Sequence, residues 1–309
     1  MGQTMYLECY SGISGDMTVA ALLDLGADKE VLLKVLERLP VQGFRVEINR
    51  VMKSGIDACD FNVILEEQDN HDHDMEYLYG HMYGELPGHT HEVDNHSQEH
   101  NHTHEAHNHS HEHIDEHHHT HDGNHHHSEG HHHHHVHRGM KEIREIVNQG
   151  DMTERAKKLT LRIFTILAEA ESKAHNVPVE DVHFHEVGAI DSIVDIVAIA
   201  VCMDNLNITN VIVPELWEGK GTVRCQHGIL PVPVPAVCNI MQAYGLPVRI
   251  TEIMGELITP TGAAAVAAVQ TSNHLPKSFS IKKIGLGAGK RQYECPGILR
   301  AMLIEENPE

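Results

Sequence analysis

"MYLECYSGISGDMTVAALLDLGAD", Met5 to Asp28, decides the fold class. Residues 5–9 form a short apolar run with strand character. A loop of mostly small residues follows, Ser11-Gly12-Ile13-Ser14-Gly15, and Asp16 opens the next segment. Residues 18–25 then read as a helix stopped by Gly26. Strand, glycine-bearing loop and helix make one unit of an alternating α/β chain. The same arrangement can aim backbone N–H groups at an anion. It also serves as an ordinary corner, so the rest of the chain has to choose.

Residues 28–39 predict a second helix, with Val31, Leu32, Val35, Leu36 and Leu39 at helical spacing. Residues 44–51 and 61–65 alternate apolar with polar, as half-buried strands do. The unit 1–70 therefore reads β-α-α-β-β. Residues 140–147 predict a helix. Residues 153–175 predict a long amphipathic one, with Leu159, Ile163, Ile166, Leu167, Ala170 and Ala174 on one face. Residues 191–206 are apolar nearly all round, which predicts a central helix. A short strand is expected at 211–214 and a glycine turn or hairpin at 219–224. From residue 227 the chain must run extended, because Pro231, Pro233 and Pro235 exclude helix. Helices over 237–244 and after the 259 loop, with strands at 280–284 and 299–304, complete the pattern. The expected fold is α/β, with mixed α+β as the variant: one layered sheet-and-helix domain made of 1–70 and 138–309.

Between these parts, residues 71–137 hold 26 of the 31 histidines, thirteen Asp and Glu, and no Lys or Arg. Such a segment cannot repay its ordering entropy, and disorder without metal is expected. Without its acids the formal charge falls from −22 to −9. The remainder is only mildly acidic, which argues against nucleic acid or an anionic membrane as partner. Six scattered cysteines offer no C-x-x-C pair, and no apolar run approaches membrane-spanning length. A soluble, cytoplasmic protein with reduced thiols is expected. Oligomerisation is left open.

The tract offers overlapping imidazole sites, densest at His131, His132, His133, His134 and His135. Neutral imidazole suits nickel, copper and zinc, so the tract reads as a metal buffer. In "HFHEVGAIDSIVD", His183 and His185 share a face if the segment is a strand, and Glu186 follows. Asp191 and Asp195 share a face of the next helix. This is either a mixed nitrogen and oxygen metal site, an acid–base cluster, or a capped helix with solvated neighbours. "TPTG", with Thr259, Thr261 and Gly262, repeats the small-residue loop entering a helix. The chain thus has two candidate anion sites, the other being Ser11, Gly12, Ser14 and Gly15. Gly262 is expected to let a ligand approach. "IGLGAGKR" carries G-x-G-x-G, which alone fits a tight turn, and His227 stands alone before the prolines.

The motifs "YLECYSGISGDM", "FTILAEAESKAHNVPVEDVHFHEVGAIDSIVDIV", "GTVRCQHGILPVPVPA", "GELITPTGAA" and "IGLGAGKR…CPGILRAML" resemble, in order, the LarC family of nickel insertion proteins. The resemblance runs from about Met5 to Leu303. It implies a cyclometallase of the lyase class in lactate racemase maturation. Such an enzyme inserts Ni(II) into pyridinium bisthiocarboxylate mononucleotide, forming two Ni–S bonds and one Ni–C bond. The family reaction uses CTP and Mn or Mg, associated with a further domain that is expected from a partner subunit or a longer product. The lactate racemase apoprotein is the implied downstream partner. On this reading His183, His185 and Glu186 hold nickel, and one of the two loops holds the substrate phosphate. Asp16, Asp191, Asp195 and His227 are the candidate bases for the ring C–H proton. The alternatives are a nickel storage protein or metallochaperone without a catalytic step, and a zinc hydrolase.

Overall fold

The structure, a computed structural model, describes residues 2–66, 75–79, 138–182, 184 and 189–307. Strand β1 (Gln3–Glu8) leads through the opening loop into helix α1 (Gly15–Asp24). Gly26 takes φ of 109° just past the helix end, which a side chain would resist. Helix α2 (Lys29–Glu37) is capped by Asp28, which accepts the N–H groups of Glu30 and Val31. Strands β2 (Phe44–Lys53) and β3 (Ile56–Leu65) form a hairpin turning at Ser54-Gly55, both with positive φ.

Helix α3 (Met75–Tyr79) falls inside the segment whose composition predicts disorder. Its sequence, MEYLY, is apolar and aromatic, and Leu78 and Tyr79 are buried in the core. The histidine count hides this local change. Helices α4 (Met140–Gln149) and α5 (Glu154–His175) follow, the latter capped by Thr153 as its sequence suggests. A single 3-10 turn, Val179–Asp181, precedes helix α6 (Ile190–Asn205). Ten of the sixteen residues of α6 are buried, which is why its sequence is apolar all round.

Strand β4 (Ile208–Ile212) begins three residues before the predicted one. Strand β5 (Leu216–Lys220) was not predicted separately; β6 (Thr222–Cys225) and β7 (Gly228–Pro231) form the hairpin. The proline run is extended only to Val234. Pro235 sits in the first turn of α7 (Pro235–Tyr244), where its missing N–H costs nothing. Strand β8 (Val248–Met254), helix α8 (Pro260–Val269), and strands β9 (Phe279–Ala288) and β10 (Ile298–Glu306) complete the order.

The main sheet has the order β2-β3-β9-β10-β1-β4. β1 runs antiparallel to β10 and parallel to β4; β3 meets β9 in parallel at Cys59 and Gly287. Side chains alternate as the pleat requires. Met5, Leu7, Leu299, Ala301 and Leu303 enter the helix-side core. Tyr6, Met302 and Ile304 join Ile212 in a small cluster on the other face. β5 and β8 form a separate parallel pair. Among the described residues no helix is long and apolar enough to cross a membrane, and all six cysteines are free thiols.

Glycines set how closely α1 lies on the sheet. A methyl group at Gly287 would collide with the carbonyl of Met17, and one at Gly285 with that of Ala21. The G-x-G-x-G run, expected as a tight turn, is therefore strand β9 stripped of side chains so that a helix backbone can rest on it.

Candidate functional site

The two small-residue loops, far apart in sequence, lie side by side. Ile13 donates its N–H to the Leu257 carbonyl, and Thr259 donates to the Ile13 carbonyl, both at 3.0 Å. A methyl group at Gly12 would strike the Leu257 carbonyl, and one at Gly262 the Ile13 carbonyl. The room at these glycines, reserved for a ligand by the sequence reasoning, is filled by the partner loop. Gly12 also has φ of 80°, a second reason for glycine.

Glu218 of β5 fastens this pair. Fully buried, it accepts backbone N–H groups from Gly219, Leu257 and Ile258 at 2.8, 2.7 and 3.2 Å through Oε1. Its Oε2 is buried with no hydrogen-bond partner. Burial pushes the carboxyl up to about 7, against the pull of those three donors.

The helix starts differ. At α8, Thr259 Oγ1 accepts the Gly262 N–H at 3.1 Å, Thr261 is buried, and Pro260 has no N–H to offer. That helix start satisfies itself. At α1, Ser14 makes no capping bond, because its hydroxyl donates to Asp16 instead. The first-turn N–H groups of α1 are left to another acceptor.

Asp16 on α1 and Asp191 and Asp195 on α6 come together where the two helices pack. A methyl group at Gly15 would collide with the Asp195 carboxylate, so this glycine makes room for an acid. Oδ2 of Asp16 and Oδ1 of Asp195 are buried without a hydrogen-bond partner. Burial holds the Asp195 carboxyl well above the usual range, and the charges of Asp16 and Asp191 push it further. Lys290 pulls it back. Lys290 forms a half-buried ion pair with Asp60, and burial lowers the nearby Lys53, with Asp60 and Asp16 opposing.

Lys290 and Asp60 escaped the sequence reasoning. The signal was the basic pair ending "GLGAGKR", and its second member is as well placed. Arg291 pairs with Glu256 at 2.5 Å, both largely buried. Tyr293 donates to the Glu256 carbonyl at 2.7 Å, Glu256 donates its N–H to Tyr79 at 3.0 Å, and the two tyrosine hydroxyls meet at 2.6 Å. Helix α3 is thereby pinned to the Gly255–Gly262 loop. The basic pair, just after β9, thus holds β3 through Asp60 and the second motif loop through Glu256.

His227 does not join the carboxylates through any described contact; it lies on the β6–β7 turn beside His175 and Cys225. His131, His132, His133, His134, His135, His183, His185 and Glu186 lie outside the described residues. Phe184, between two of them in sequence, donates its N–H to the Arg138 carbonyl. Among the described residues no group of three or more His, Cys, Asp or Glu stands ready around a metal ion.

The family described as "Nickel insertion protein" matches residues 5–309. The chain belongs to that family. A relative from Alkaliphilus metalliredigens is 47% identical over 307 residues, covering 99% of this chain and 62% of its own. Relatives from Clostridium acetobutylicum and Geobacillus kaustophilus are 40% and 35% identical over 303 residues, 98% of this chain and 64% and 60% of theirs. All three are named pyridinium-3,5-bisthiocarboxylic acid mononucleotide nickel insertion protein. The chain spans about three fifths of the length of these relatives. No solved structure matches it significantly. In this nickel insertion family member, the carboxylate cluster brings together Asp16, Asp191 and Asp195 from two separate stretches of the chain, with Lys290 from a third.

Proposed function

We propose that this chain carries out nickel insertion into pyridinium-3,5-bisthiocarboxylic acid mononucleotide, in the maturation of lactate racemase. The observation that carries the mechanism is the convergence of Asp16, Asp191 and Asp195 beneath the opening loop, beside Lys290. Cyclometallation exchanges a ring C–H for a Ni–C bond while the two thiocarboxylate sulfurs take the metal. The leaving proton needs an acceptor of more than ordinary carboxylate basicity. Asp195, raised by burial and by two neighbouring acids, is that acceptor. Lys290 steadies the cluster's charge as the proton arrives and leaves.

The substrate phosphate belongs at the start of α1, where Ser14 leaves the first-turn N–H groups free of its own side chain. Ser11 hydroxyl and the Lys290 and Lys53 ammoniums add donors and offset the acids nearby. His183, His185 and Glu186 remain the proposed nickel holders, fed by the tract. CTP with Mn or Mg is implied by the family resemblance, and no step above is assigned to it.

The test is Asp195→Asn, assayed with substrate, Ni(II), CTP and Mn, with the remaining region of the longer relatives supplied. Mass spectrometry reads the nickel adduct that has lost the ring proton. The expected result is a fall of about 10²–10⁴-fold, with nickel binding unchanged. Adduct formation at the wild-type rate would remove Asp195 as the base.

A further inference from the structure

The β6–β7 hairpin turns at Gln226-His227, and Gly228 closes it with φ of 92°. This tight turn holds Cys225 Sγ and His227 Nδ1 at 4.0 Å. The imidazole of His175, the last residue of α5, lies across from His227 with ring centroids 4.8 Å apart and planes at 38°. One helical turn back, Glu171 Oε2 stands 3.4 Å from His175 Nε2. His175 and His227 are exposed, and Cys225 is half-buried. A thiol and two imidazoles meeting at a surface, with a carboxylate behind one of them, is unusual in a chain whose other thiols are mostly buried.

We propose that Cys225, His227 and His175 form a binding site for a divalent transition ion of borderline softness. Thiolate with imidazole is the donor set that nickel, zinc and cobalt share. Around a tetrahedral ion, metal–sulfur and metal–nitrogen bonds of about 2.3 and 2.0 Å put the two donor atoms about 3.5 Å apart. Cys225 and His227 therefore need to close by only about half an ångström from their present 4.0 Å. Since no triad is already gathered around an ion, the metal itself completes the site by side-chain rotation. The thiol proton is released to solvent as the ion binds. Glu171 stands 3.4 Å from one ring nitrogen of His175, the kind of carboxylate partner that metal-binding histidines favour.

The site also has a meaningful place. Arg224, next to Cys225, sits over the ring of Tyr77 at 6.0 Å, and Tyr77 belongs to α3, which lies within the histidine-rich stretch of the sequence. Naming nickel as the cargo rests on the proposed function; the donor set does not.

The test is titration of the full-length chain with Ni(II) and Co(II), read as thiolate-to-metal charge-transfer absorption. The tract contains no cysteine, so its imidazole sites are silent in that band. Wild type is expected to show the band at one equivalent of thiolate. Cys225→Ser should abolish it, and His227→Ala and His175→Ala should each weaken apparent affinity at least ten-fold. Cys238→Ser and Cys295→Ser should leave it intact. Absence of the band, or its persistence in Cys225→Ser, overturns the site. If the band behaves as expected while the chain inserts no nickel, the site stands and the proposed activity falls.

Discussion

Glu218→Gln tests the fastening of the two loops. In the folded chain this carboxyl is pushed from an ordinary value of 4.5 up to about 7, burial being the largest cause. Because the folded value lies above the unfolded one, the native state holds its proton after the unfolded chain has lost it. Its contribution to stability is complete below pH 4.5, declines from there to about 7, and is flat above. The slope is about 1.4 kcal/mol per pH unit inside that window, and integration from pH 5 to pH 8 gives a loss of about 2.5 kcal/mol. Glutamine keeps an acceptor for Gly219, Leu257 and Ile258 but cannot ionise. Every other titrating group, the tract's histidines included, is common to both proteins and cancels in the difference. The chain's single tryptophan, Trp217, stacks on Tyr10 beside this glutamate and reports urea unfolding by fluorescence. The stability of Glu218→Gln relative to wild type should rise by about 2.5 kcal/mol between pH 5 and pH 8. A difference that stays constant with pH would refute a proton-holding, buried Glu218.

Three further outcomes follow from the same structure. Gly287→Ala drives a methyl group into the Met17 carbonyl, and should lower stability by about 1–3 kcal/mol in denaturant unfolding. Arg291→Ala strands the Glu256 carboxylate in a buried setting and should cost about 3–5 kcal/mol, most of it recovered by adding Glu256→Gln. Tyr79→Phe removes the acceptor for the Glu256 N–H and the bond to Tyr293; a loss of about 1–3 kcal/mol is expected by the same measurement.

Local chemistry made much of the fold legible. The caps Asp28 and Thr153, the stop at Gly26 and the periodicity of α5 and α6 act within a few residues of themselves. Strand β8 was missed because its apolar residues Val248, Ile250 and Met254 are exposed, the reverse of the pattern that marks a strand. The acids of the candidate site were visible as residue types. Their meeting depends on α1 packing against α6 about 180 residues on, where Gly15 leaves room for Asp195. Asp60 lies in β3 and Lys290 just past the end of β9, two strands whose pairing only the sheet order reveals, so no window of sequence could have paired them.

The register that sets Thr4 opposite Ile304 and Met5 opposite Leu303 has a consequence for biogenesis. β10 lies inside the sheet, between β9 and β1, so the strand that carries the opening loop gains this neighbour only after about 300 further residues have been synthesised. A nascent chain emerging at about 5–20 residues per second exposes its histidines well before its sheet can close. Such high contact order makes folding slow as well as late. On the proposed function, metal capture by the tract can therefore precede the assembly of the carboxylate cluster.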